Sequence, residues 1–292
     1  MAYRRLPLPG GFVEYVVDGP EDARDLLIFH VGTPSAAVPY PALTAAATAA
    51  GLRLASYSRG GYGNSPRREG RTVADEAAIT AALADRLGFE RFFVLGWSGG
   101  GPVAMGCAAL LGDRVRACTT IASIAPRVEA GAAWKTFHSP EQQREWEDLA
   151  RGDIDALIPD FEGAVAMFRR MTVKRLLGLG GPPDARAIRF DARNEIQPAL
   201  VRSMRRAVAK GYFGYLDDNL AQARDWGFRV ADIRLPVTVR QGELDRLVQP
   251  ANGHWLADAI PGARGVFLAD AGHGSIALPW SEVVSELLAA AG

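Results

Sequence analysis

Apolar residues along this chain fall into compact runs separated by stretches in which they recur at helical spacing. The compact runs at 12–17, 26–31, 52–57, 91–95 and 115–122 read as strands. The first alternates, as a strand with one wet face would. Leu26-Leu27-Ile28-Phe29 and Phe92-Phe93-Val94-Leu95 are apolar throughout, which suits strands covered on both faces. Between them lie an alanine-rich helix at 41–50, ended by Gly51, and a helix at 72–87, ended by Gly88. This alternation predicts a mostly parallel sheet with helices on both faces and right-handed crossovers. Reactive residues then belong at the C-terminal ends of the strands. The alternation breaks over 126–230, which is helix-like and strand-poor. Helices are expected at 141–150, 154–177 and 192–210, with Gly178-Leu179-Gly180-Gly181-Pro182-Pro183 as a breaker. It resumes with a strand at 236–241, a helix at 250–260 and a strand at 265–268. The expected division is a core of 1–125 and 231–292, with 126–230 as a helical cap.

Gly96-Trp97-Ser98-Gly99-Gly100 lies between the strand at 91–95 and a helix expected at 101–111. A G-x-S-x-G sequence at a strand-to-helix turn is a nucleophile elbow, which lifts the serine hydroxyl above the sheet edge. The flanking glycines are required because side chains there would collide in so tight a turn. A serine hydroxyl is a poor nucleophile until a base and an orienting acid activate it. In this arrangement those residues follow the serine in the order acid, then histidine.

The chain has four histidines, His30, His138, His254 and His273. His273 sits in the turn-rich Asp270-Ala271-Gly272-His273-Gly274-Ser275 after a strand, where a loop histidine can reach the serine. His254 falls in a helix and His138 in the middle segment, and both read as structural. For the acid, Asp245 follows the 236–241 strand, far enough before His273 for one helix and one strand. Glu243 is the competitor. Asp232 is at the wrong end of that strand, and Asp270 is too close in sequence to His273. An oxyanion hole needs the N–H of the residue after the nucleophile, Gly99, and a second N–H from an earlier strand's loop. His30-Val31-Gly32-Thr33-Pro34-Ser35 follows the 26–31 run; Pro34 has no N–H, so the donor is read as Thr33. His30 is expected to brace this loop by hydrogen bonds.

With these residues the chain resembles the α/β-hydrolase-fold family. It resembles in particular actinobacterial-type hydrolases with an H-x-G-T-P oxyanion loop and a G-W-S-G-G-G-P elbow. Arg59-Gly60-Gly61-Tyr62-Gly63-Asn64-Ser65 stands where such proteins show D-R-x-G-x-G-x-S, with Ser58 in place of the usual Asp. Val31 likewise replaces the more usual histidine or glycine. The resemblance implies the α/β-hydrolase fold with a helical cap and hydrolase chemistry. It does not imply a substrate.

Composition narrows the remaining classes. Lys and Arg total 33 and so do Asp and Glu, which leaves no basic excess for nucleic acid. Arg202 to Arg206 alternate with apolar residues as the wet face of a helix. No apolar run follows the N-terminal charges as in a secretory signal, and none approaches a membrane span. Cys107 and Cys118 read as buried small residues in a reducing compartment, so a cytoplasmic location is expected. No cofactor or metal is expected, since no metal-ligand spacing and no G-x-G-x-x-G after a strand occurs. Asp217-Asp218 could look like a metal pair, but adjacent acids point different ways and a turn or helix N-cap explains them.

The middle segment carries many aromatic and methionine residues, among them Trp134, Trp146, Phe161, Phe168, Met171 and Tyr215. Many of them must pack the cap onto the core, and the remainder suit an apolar pocket for a small-molecule substrate, with Trp97 at its border. The function expected is a serine hydrolase forming an acyl-enzyme on a small, largely apolar ester, thioester, lactone or amide. The alternative is a lyase, cyclase or ligand-binding protein on the same fold. An epoxide hydrolase of the usual type would carry Asp where Ser98 stands. A proline-iminopeptidase-like role would need acids such as Glu195 or Asp217 to hold an amine. The oligomeric state stays open.

Overall fold

The computed structural model describes residues 3–179, 184–189 and 196–292. Its centre is an eight-stranded sheet of order β1-β2-β4-β3-β5-β6-β7-β8. The strands are β1 (Arg4–Leu8), β2 (Gly11–Asp18), β3 (Asp25–His30), β4 (Leu52–Tyr57), β5 (Phe92–Trp97), β6 (Val115–Ile121), β7 (Val237–Gly242) and β8 (Arg264–Leu268). β1 and β2 pair antiparallel, and β2 meets β4 antiparallel. From β4 to β8 every pairing is parallel. β1 is the one strand that the apolar pattern misses. Its alternation is masked by Arg4, Arg5 and Pro7, and only Leu6 is buried.

Both faces of the sheet are covered, and successive residues serve opposite cores. Leu26, Ile28 and Val94 pack into one apolar cluster, whereas Leu27, Phe29, Phe93 and Leu95 pack into the other. This explains the unbroken apolar runs. α1 (Pro41–Ala49) packs beside β4, and α2 (Asp75–Leu87) packs on α3 (Gly101–Leu110), which follows the elbow. α2 begins later than the 72–87 pattern suggests. Thr72 and Asp75 bond reciprocally, each side chain accepting the other's N–H, so the first turn is a cap. Gly88 ends the helix in the left-handed conformation, as expected.

All elements between β6 and β7 among the described residues are helical. They include α4 (Arg127–Ala130), α5 (Pro140–Arg151), α6 (Ile158–Arg169), α7 (Val173–Leu179), α8 (Ala185–Arg189), α9 (Gln197–Ala207) and α10 (Phe213–Ala223). The helix expected at 154–177 is broken: a 3-10 turn precedes α6, and α6 ends at Arg169 before α7 begins. Part of the breaker (180–183), the first residues of the 192–210 helix and Glu195 lie outside the described residues. α11 (Pro250–Ala259) and α12 (Trp280–Ala290) complete the chain, with α12 against α1.

One buried charge is invisible in the apolar pattern. Arg240, in β7, is fully buried and is held by Glu282 and Glu286 of α12. Among the described residues no helix is long and apolar enough to cross a membrane.

Candidate active site

Ser98 follows β5 directly, at the start of a 3-10 turn that leads into α3. Its φ is +54°, in the left-handed region that a β-carbon disfavours. The surrounding glycines make this conformation sterically possible. A β-carbon on Gly96 would lie 2.5 Å from the Gly100 carbonyl oxygen, and one on Gly100 would lie 2.0 Å from that of His30. Both distances are far inside van der Waals contact, so the strand, turn and helix can close only with glycine at these positions.

Asp245 lies in the loop after β7 and His273 in the loop after β8. His273 Nδ1 and Asp245 Oδ2 are 2.8 Å apart. The other Asp245 oxygen accepts the N–H groups of Leu247 at 2.9 Å and Val248 at 3.0 Å. Gln241 Nε2 donates to Oδ2 at 3.2 Å. A carboxylate with both oxygens so engaged has one orientation, and it passes that orientation to the imidazole. Trp97 fixes the ring from the other side. Its indole stacks on His273 at 6.2 Å between centroids, and Trp97 Nε1 donates to the His273 carbonyl at 3.2 Å. Glu243 is engaged elsewhere, 2.9 Å from His254 Nε2. His254 sits on α11 with its ring stacked on Phe267 at 4.0 Å.

Gly32 and Thr33 border the serine. A β-carbon on Gly32 would lie 3.1 Å from Ser98 Cβ, and one on Gly99 would lie 2.4 Å from Thr33 Oγ1. The loop therefore rests directly on the elbow. Ser98, Gly99, Thr33, Asp245, His273 and Trp97 all line one cavity of about 800 Å³. Trp146, Phe168, Leu176, Met204 and Tyr215, from the helices between β6 and β7, line it too, as do Ile124 and Leu200. Apolar side chains thus make up much of the wall, and Asp184, Gln197, Asn219, Gln222, Glu243 and Arg246 are among the polar groups that join the site residues in it.

Two expectations need correction. His30 does not brace the oxyanion loop. Its ring turns into the core, with Nε2 3.9 Å from Cys107 Sγ of α3 and its plane edge-on to Tyr57. Burial, aided by the Arg59 charge, lowers its pKa to about 3, so it is a neutral core histidine. Asp217-Asp218 is neither a turn nor an N-cap. Both acids lie in the middle of α10 and both are buried. They do point different ways: Asp217 accepts from Arg67 at 2.9 Å, and Asp218 accepts from Arg59 Nε at 3.0 Å and Tyr62 at 2.9 Å. Arg71 also pairs with Asp218. Two buried acids inside α10 look solvent-facing in the sequence, where neither has a charge partner close by. Among the described residues no group of His, Cys, Asp and Glu is placed to hold a metal ion.

Sequence reasoning also misses Arg59 and Gln222. Arg59 donates to the Val31 carbonyl at 2.7 Å and the Gly32 carbonyl at 3.1 Å, and Gln222 Nε2 donates to Thr33 Oγ1 at 3.1 Å. The signal for Arg59 is its place in the Arg59-Gly60-Gly61 motif; Gln222 has none. The carboxylate missing at Ser58 is supplied by another strand. Glu14 of β2 is buried, and its Oε1 lies 3.4 Å from Ser58 Oγ.

Comparison with known proteins agrees with this architecture. A family model described as the alpha/beta hydrolase fold matches residues 25–278. A pimeloyl-[acyl-carrier protein] methyl ester esterase of Aromatoleum aromaticum is 28% identical over 230 residues, 77% of this chain and 81% of that one. The enol-lactonase of Burkholderia xenovorans superposes with a TM-score of 0.69 at 20% identity, over 98% of this chain and 100% of that one. An alpha/beta hydrolase fold protein of Nakamurella multipartita gives 0.62 at 24% identity, with 100% of both chains covered. At such identities the structural likeness speaks for the fold.

Proposed function

The chain belongs to the alpha/beta hydrolase fold family, and from that premise we propose that it is a serine hydrolase of small, largely apolar carboxylic esters or lactones. The observation that carries this reading is a convergence in one cavity. Ser98 stands at a positive-φ elbow, and the hydrogen-bonded His273–Asp245 pair lines the same space. In the proposed mechanism Nδ1–H of His273 is donated to Asp245, which leaves the Nε2 lone pair as base. Ser98 Oγ attacks the carbonyl carbon while Nε2 takes its proton. The carbonyl electrons move onto oxygen, which the N–H groups of Gly99 and Thr33 receive. The tetrahedral centre collapses, the C–O bond to the alcohol breaks, and the imidazolium returns the proton to the leaving alcohol. Water, deprotonated by the same imidazole, then attacks the acyl-enzyme and releases the acid and Ser98.

The helices between β6 and β7 act in this reading as a cap, whose apolar residues bind the acyl group and exclude water. One relative is by name a methyl ester esterase and one structural neighbour an enol-lactonase. The relative's name supports ester cleavage, and the neighbour's is consistent with it. A reducing location such as the cytoplasm suits the two free thiols, both buried.

A fluorophosphonate probe tests the nucleophile without knowledge of the substrate. Wild-type protein should label stoichiometrically at Ser98, and Ser98→Ala should not label. Labelling of Ser98→Ala at another serine with the wild-type rate would refute the assignment. Asp245→Asn should lower kcat by about 10⁴, while Glu243→Gln, a change at the cavity's edge that frees His254, should stay near wild type. The reverse pattern would show that Glu243 is the acid.

A further inference from the structure

A charged cluster lies behind the Gly32–Thr33 loop, and the reaction scheme above makes no use of it. Its centre is Asp218, in the middle of α10 and 1% exposed. One oxygen accepts from Thr33 Oγ1 at 2.7 Å, and the carboxylate also takes Arg59, Arg71 and Tyr62. Burial alone would push this carboxyl up. The guanidinium of Arg59, then that of Arg71, outweighs burial and holds it well below the usual carboxylate range. Asp218 is therefore a fixed anion.

Arg59 spans from that anion to the loop. While Nε and Nη2 engage Asp218, Nη1 donates to the Val31 carbonyl and Nη2 to the Gly32 carbonyl. The Gly32–Thr33 peptide is not among the cis bonds. In a trans peptide the C=O of one residue and the N–H of the next point in opposite directions. A Gly32 oxygen drawn onto Arg59 therefore turns the Thr33 N–H away from it. Gly32 meets the elbow, where a β-carbon on it would lie 3.6 Å from Ser98 Oγ, and the Thr33 hydroxyl that binds Asp218 abuts Gly99.

We propose that Asp218 is a positioning residue for the oxyanion site. Through Arg59 it sets the rotation of the Gly32–Thr33 peptide, and through the Thr33 hydroxyl it pins the loop. Because Asp218 belongs to the helical segment between β6 and β7, the oxyanion site is complete only when α10 is seated. Donor orientation matters because such a site stabilises the developing charge only if its dipoles are aimed beforehand. This inference rests on the serine-hydrolase reading.

The test compares Asp218→Asn, Arg59→Lys and Asp217→Asn with wild type, using p-nitrophenyl butyrate and two ligands. One ligand is an alkyl trifluoromethyl ketone, whose adduct on Ser98 carries an oxyanion. The other is the matching unfluorinated ketone, which binds without forming that adduct. Asp218→Asn should lower kcat by about 10²-fold, as loss of one oxyanion donor does, with KM within about twofold. Affinity for the fluorinated ketone should fall in step, and affinity for the plain ketone should not change.

Arg59→Lys keeps a cation beside Asp218 but lacks the fork that reaches the two carbonyls. It should show the same pattern at about tenfold, and it decides the matter if Asp218→Asn does not fold. Asp217→Asn, whose partner is Arg67, should keep the wild-type kcat. Unchanged kcat in folded Asp218→Asn or in Arg59→Lys overturns the proposal. Equal losses for both ketones also overturn it, because they mark general damage to the cavity. Wild-type protein that fails to label at Ser98 overturns the serine-hydrolase reading and this inference with it. Normal labelling with unaffected variants overturns this inference alone.

Discussion

His30 shows how much a neighbouring strand and helix can do to one side chain. Its sequence position invites a catalytic or bracing role, yet its ring is enclosed by Cys107 and Tyr57. Its pKa falls from an ordinary 6.5 to about 3, first through burial and then through the Arg59 charge. The sign of the pH effect follows directly. The unfolded chain takes up the proton first, so this contribution to stability is complete above about pH 6.5 and is lost as the pH falls toward 3. At pH 4.5 the loss is on the order of 2–3 kcal/mol. His30→Gln should therefore have a smaller difference in urea-unfolding free energy between pH 7 and pH 4.5 than wild type. Equal differences would mean that His30 is not buried neutral. Asp218, whose carboxyl is depressed from an ordinary 3.8, costs stability only below about that pH, and it is present in both proteins, so it does not blur the comparison.

At the scale of elements, the elbow and the helices of the insert make opposite demands on glycine. Gly100 meets the His30 backbone so closely that its β-carbon would fall 2.0 Å from a carbonyl oxygen. Gly100→Ala should move the β3 loop and the elbow apart. Fluorophosphonate labelling of Ser98 should drop by at least about tenfold, with a lowered melting temperature. Labelling at the wild-type rate would show that the turn has slack. Gly163 is the counter-case. It lies within α6, is exposed, and a β-carbon added there would have nothing within 4 Å. Gly163→Ala should stabilise the protein by up to about 1 kcal/mol through helix propensity. An unchanged or lower urea midpoint would speak against a regular helix there.

Over the whole molecule, loops beyond the strand ends place Ser98, Asp245 and His273 in the cavity, and the helices between β6 and β7 supply much of its apolar wall. In a series of p-nitrophenyl esters, kcat/KM should rise with acyl length from acetate to about six or eight carbons. Each buried methylene contributes up to about 0.8 kcal/mol until the space fills. Phe168→Ala, which opens space in the wall contributed by α6, should move that optimum to a longer chain while Ser98 still labels. A flat or falling profile would argue against an apolar acyl pocket. Rapid labelling with no ester turned over would shift weight to a non-hydrolytic use of the fold.

The alternation of apolar runs with helical stretches is enough to recover the parallel part of the sheet. Strands buried on both faces announce themselves by unbroken apolar sequence, as Leu26–Phe29 and Phe92–Leu95 do. The candidate site is equally legible. Ser98, Asp245 and His273 each sit just beyond a strand end, in local sequence that only a tight turn or a loop would use. Tertiary structure decided much of the rest, chiefly because a buried charge looks exposed until its partner is known. Asp217-Asp218 reads as a turn or a helix N-cap because Arg59 and Arg71, the partners of Asp218, are far away along the chain. Arg240 in β7 is neutralised by Glu282 and Glu286 of a helix that begins well after it. Glu14 stands in beside Ser58 from a different strand. Local pattern is set by which residues avoid water, whereas ion pairs satisfied within the core are set by which distant residues the fold brings together.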